Sequence, residues 1–148
     1  MQRWIIVTAL TTALVGLAPA AQAAPAADPD PVTTVVTLGD ARIDPKVPGR
    51  VRVDVSYVCS VADDARSLTV SVEQKDPQDS ASIAFGSSRT AEADIVCDGT
   101  QQQRQLTVQS KTVNWIPGAE AVVIATVSNI GATPSAAADS RRVELVTE

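Results

Sequence analysis

From Val51 to Cys59 every second residue is apolar, and Arg52, Asp54 and Ser56 stand between them. A two-residue period buries one face and wets the other, which specifies a β-strand and not an amphipathic helix. Similar runs recur along the chain between Gly, Pro, Asp and Ser punctuation. Strands are predicted at 32–38, 67–74, 81–86, 91–97, 105–113, 119–128 and 141–146, besides the one opening at Val51. Breaks are predicted at Gly39-Asp40, 44–49, Asp63-Asp64, 75–80, Asp98-Gly99, Pro117-Gly118 and 131–139. The 119–128 run is apolar on both faces, as a central strand would be. The run from Val51 to Val61 exceeds the usual strand length of about five or six residues, so a bulge or bend is expected in it.

No helical period of useful length follows residue 23. Seven or eight short strands at this spacing predict an all-β fold, an immunoglobulin-like antiparallel two-sheet sandwich, with an up-and-down barrel as the competing architecture. The N-terminus predicts the compartment. Arg3, an uncharged and mostly apolar run from Trp4 to Leu17, and the small-x-small pattern Ala21-x-Ala23 have the layout of a secretory signal peptide. That run is too short for a comfortable membrane span. The expected organisation is a signal peptide at 1–23, a Pro/Asp-rich flexible linker at 24–31 and one domain at 32–148. A secreted, extracellular, monomeric product with no membrane anchor is therefore expected.

Cys59 and Cys97 are the two cysteines. In an exported chain such a pair predicts one structural disulfide, here joining the inward faces of two strands. A redox role would want close C-x-x-C spacing and a basic setting, and Asp98 beside Cys97 opposes the latter. The sequence contains no histidine, so the usual general base of Ser-His-Asp and Cys-His mechanisms is missing. Neither a P-loop nor a G-x-G-x-x-G loop occurs. An excess of acidic over basic residues argues against nucleic acid and anionic membranes. Tyr57, Phe85 and Trp115 are the only aromatics beyond residue 23, too few and scattered for a stacking platform.

What remains for catalysis is paired carboxylates, and the candidates are Asp63-Asp64, Asp76 with Asp79, and Asp94 with Asp98. All lie in or beside predicted turns, where Asp serves the backbone. The DPQD run at 76–79 lacks the spacing of a calcium loop, and no serine pattern accompanies Lys46, Lys75 or Lys111. Trp115, just before Pro117-Gly118, is expected to pack over the sandwich end; its alternative role is an exposed interaction anchor.

YVC at 57–59, IVCDG at 95–99 and PGAEAVVIATVS at 117–128 together resemble a family of small exported actinobacterial proteins without an assigned function. The resemblance spans roughly the whole mature domain. It implies an immunoglobulin-like sandwich with one disulfide and carries over no catalytic residue. The enediyne-carrying apoproteins and the bacterial subtilisin inhibitors are similar in size, but both normally use two disulfides. Antibody-type domains place a Trp between their cysteines, whereas residues 60–96 contain none. The expected function is a non-catalytic binding or structural module without cofactor or metal. Its partner would be an extracellular protein, a cell-wall component or a small molecule. The alternatives are a small-molecule carrier with an apolar pocket, a protease inhibitor presenting 114–118 or 131–139, and a carboxylate hydrolase.

Overall fold

The computed structural model describes residues 34–59, 66–129 and 135–148. The expected signal peptide and linker, Asp63-Asp64 and positions 131–134 lie outside the described residues. Eight strands follow in chain order: β1 (Val35–Ile43), β2 (Arg50–Val58), β3 (Arg66–Lys75), β4 (Ile83–Thr90), β5 (Gln102–Gln109), β6 (Glu120–Asn129), β7 (Ser135–Glu144) and β8 (Val146–Thr147). They form two four-stranded sheets, ordered β5-β2-β1-β8 and β4-β3-β6-β7. Every pairing is antiparallel except the short one between β1 and β8. The fold is a two-sheet β-sandwich.

Alternation builds the core. Val51, Val53, Val55 and Tyr57 of β2 point inward and meet Leu68, Val70 and Val72 of β3 and Ala121, Val123, Ala125 and Val127 of β6 in one buried cluster. β2 alternates without interruption, and it pairs with β1 on one side and β5 on the other. No irregularity lies within β2, and the last residues of the Val51–Val61 run, Ser60 and Val61, lie outside the described residues; it is the β1 register that shifts, between Leu38 and Ala41. Gly39-Asp40 is therefore a bulge inside a strand, not the break that the sequence suggests. The apolar set Val36, Leu38, Ala41, Ile43 carries the same step of three.

Both ends of the sandwich are pinned by polar contacts. At one end the Cys59–Cys97 disulfide brings its Cα atoms to 4.8 Å. Gly99 N–H donates to the Cys59 carbonyl at 3.1 Å, and Val96 N–H donates to the Tyr57 hydroxyl at 3.3 Å. At the other end Trp115 is 2 % exposed, with its indole N–H donating to the Gly49 carbonyl at 3.1 Å. Trp115 is thus a core residue that caps the sandwich end, not an exposed anchor. Gln74 is buried beside it. Its amide donates to the carbonyls of Ile116 and Ala119 at 3.0 and 3.1 Å and accepts from Ile116 N–H at 2.7 Å.

Two further expectations are corrected. Residues 91–97 form no sheet strand: Glu92–Asp94 is a single 3-10 turn, and only Ile95 within 91–97 is buried. β4 and β5 belong to different sheets, so the segment joining them must cross between layers and cannot pair within either. Cys97 consequently sits on this crossover, and the disulfide ties it to the end of β2. The predicted loop 131–139 is strand from Ser135 onward, where Ala136, Ala137 and Ala138 pair with Ser128, Val127 and Thr126. Alanine has little strand preference of its own, and a long neighbouring strand supplies the pairing.

Candidate functional site

The outward face of the β5-β2-β1 sheet is a ladder of polar rows. Register places Gln103, Ser56 and Thr37 in one row, and Thr107, Arg52 and Arg42 in another. Between them Gln105 pairs with Asp54, and Asp54 faces the bulge at Gly39-Asp40. Leu38 pairs with Val55 and Ala41 with Val53, so two residues of β1 oppose one of β2. The extra residue turns Asp40 outward beside Asp54. Gly39 permits the close approach, because a Cβ there would lie 3.0 Å from the Asp54 Cβ and 3.2 Å from its carbonyl oxygen.

The result is an open groove of about 570 Å³, lined chiefly by Gly39, Asp40, Asp54, Ser56, Gln103 and Gln105. Asp54 Oδ1 accepts from the Gln105 amide at 3.0 Å. Asp40 Oδ2 accepts from Arg42 at 2.6 Å. The second oxygen of each carboxylate has no partner among the described residues. Arg104, at the rim, donates to the Asp94 carbonyl at 2.7 Å. The groove therefore offers acceptors, an amide and a hydroxyl, with no aromatic face.

Beside the groove, Arg52 bridges Asp44 at 2.9 Å and Glu148 at 2.7 Å. The Asp44 carboxyl is buried and held below its ordinary value of 3.8, first by the Lys46 backbone N–H and then by Arg52. This contact fastens the 44–49 turn to the sheet.

The acids singled out in the sequence serve their own turns. Asp76 accepts from Gln78 N–H at 2.8 Å, and Asp79 from Ala81 N–H at 3.0 Å. Asp98 accepts from the Thr100 hydroxyl at 2.6 Å and the Thr100 N–H at 2.9 Å, and these bonds lower its pKa. Asp94 lies in the 3-10 turn. None of these four lines the groove.

No protein family matches this chain, and no curated protein matches it either.

The segment 114–118 is anchored through buried Trp115 and through Ile116, which Gln74 holds, while Asn114, Pro117 and Gly118 are exposed. Two smaller clefts are each lined by four charged side chains together with alanine and valine. Sequence reasoning missed Asp40, Asp54, Gln103 and Gln105 as a set. The step of three between Leu38 and Ala41 was the available signal for the bulge. Their convergence depends on strand register, which no single run reveals.

Proposed function

We propose that this chain is an exported, non-catalytic binding module of immunoglobulin-like type, whose recognition surface is the groove around Asp40 and Asp54. The half-satisfied carboxylate pair carries this reading. Each acid uses one oxygen within the protein and presents the other to solvent, among the polar side chains of Ser56, Gln103 and Gln105, with Arg104 at the rim engaged by the Asp94 carbonyl. Such a surface suits the ammonium or guanidinium of a lysine or arginine on an extracellular protein partner. Sugars are a poorer fit, since no aromatic ring lines the groove.

The immunoglobulin-like assignment is supported by topology. The first, second and fifth strands share one sheet while the third, sixth and seventh share the other, the partition of A, B, E against C, F, G. Export is supported by the layout of residues 1–23 and by the disulfide. No helix among the described residues is long and apolar enough to cross a membrane. The non-catalytic reading is supported by the engagement of Asp40 and Asp54 with different neighbours, Arg42 and Gln105. Among the described residues the carboxyls with a displaced pKa, Asp44 and Asp98, are lowered, whereas an acid catalyst needs one raised.

The test is capture from culture supernatant with the disulfide-bonded protein, in parallel with the double variant D40N/D54N. A basic partner retained by the wild type and lost by the double variant is the expected result. Equal retention by both would remove the groove from the interface.

A further inference from the structure

The sheet opposite the groove carries a second surface. On the outward face of β4-β3-β6-β7, register sets Phe85, Glu73, Val122 and Arg142 in one row. Ile83, Lys75, Glu120 and Glu144 form the next, since the β3–β6 pairing continues by one step from Gln74↔Ala121. Ser87, Ser71, Ile124 and Ser140 lie on the other side of the Phe85 row. Ile83, Phe85 and Ile124 are each about 40 % exposed, which concentrates apolar area on this face. Three acids (Glu73, Glu120, Glu144) and three bases (Lys75, Arg89, Arg142) make the face neutral, in a chain of net charge −5.

From this pattern we infer that the protein dimerises through this face, about a two-fold axis parallel to the strands and running between β3 and β6. That axis sets β3 against the partner copy's β6, and β4 against its β7. Lys75 then meets Glu120 twice over, once in each direction. Phe85 lies under Arg142, whose guanidinium holds Glu120 of its own copy at 3.1 Å, so each Lys75 joins an existing ion pair; Ile83 lies under Glu144, and Ser71 faces Ile124. Arg89 meets only Ala138, so no two like charges oppose each other. The Lys75 ammonium has no partner among the described residues, which leaves it free for this contact.

The groove sheet fails the same operation. With the axis between β1 and β2, Arg52 would oppose Arg42, its register partner, and Asp54 would fall on the partner copy's Gly39-Asp40 bulge. Like charges in direct opposition disfavour association. Self-complementarity therefore selects one sheet over the other.

Four strands spaced ~4.8 Å apart, with about nine residues along each, offer roughly 500 Å² per partner, or about 1,000 Å² in total, the small end of specific interfaces. A weak, concentration-dependent dimer is expected, in place of the monomer expected from sequence.

Sedimentation equilibrium of the disulfide-bonded protein over a concentration series tests this. Wild-type weight-average mass should climb toward twice the monomer value. K75E and E120K should each weaken dimerisation at least about tenfold, because each opposes like charges at two symmetric positions. The double variant K75E/E120K reverses both signs and should recover most of the wild-type association. Circular dichroism confirms that all four proteins share one fold. A wild type that stays monomeric, single variants that associate like wild type, or a double variant no better than the singles would each overturn the proposal.

Discussion

Gln74 is the residue whose chemistry is least like its surroundings. It is 1 % exposed within an apolar core, yet every polar atom of its amide is used on the 116–119 backbone. A buried amide is tolerated only when so satisfied, and removing it strands the Ile116 N–H, while the Ile116 and Ala119 carbonyls keep their bonds from Ala119 N–H and Leu145 N–H. Gln74→Leu keeps the volume and should cost about 1–3 kcal/mol, read as a lower urea midpoint at unchanged slope. Asp44 makes a prediction of opposite origin, through its proton. Its pKa is lowered in the folded chain, so its contribution is complete well above 3.8 and disappears as pH falls through and below that value. The stability gap between wild type and Asp44→Asn should therefore narrow on acidification through that range. A gap of constant size at every pH would show that the carboxylate charge is not what fastens the turn.

Edges decide how the strands are arranged. β4 is an outer strand, and the chain covers it with its own residues just beyond β5. Ser110 bridges to Gly86, Lys111 N–H donates to the Phe85 carbonyl at 2.8 Å, and the Thr112 hydroxyl donates to the Ile83 carbonyl at 2.7 Å. This crossing needs the glycine: a Cβ at position 86 would lie 2.4 Å from the Gln109 carbonyl oxygen and 2.9 Å from Val108 Cγ1. Gly86→Ala should cost about 1–3 kcal/mol in chemical denaturation, since backbone must move to admit a methyl group. It should also raise aggregation on heating, because the covered edge opens. An alanine variant with wild-type stability would show that the crossing can retreat freely. The same elements explain how much was legible in the sequence. β2 and β3 were readable because each is paired on both sides and buried on one face, so alternation survives intact; β6, apolar on both faces, was readable as a continuous apolar run bounded by turn residues. The 91–97 crossover was not, because AEADIVC has strand-like residues at its end but no sheet to join. The first half of β7 was invisible for the converse reason, alanines made into a strand by their neighbour. The groove could not be read at all, since its residues meet only through cross-strand register.

Taken as a whole, the molecule is a core between two unlike outward faces, one mostly polar and concave, the other neutral and partly apolar. Pairing through the second would turn both grooves outward on opposite sides of a dimer, so that a partner with repeated basic sites could be held twice. The core itself is indifferent to the concave face. Leu38 and Ala41 point inward with two residues between them, where a regular strand would need one. A chain lacking either Gly39 or Asp40 would still place every apolar residue of β1 on the correct side. Such a deletion is thus a lesion of shape alone, and descendants of this sequence could gain or discard the groove in one step without redesigning anything beneath it.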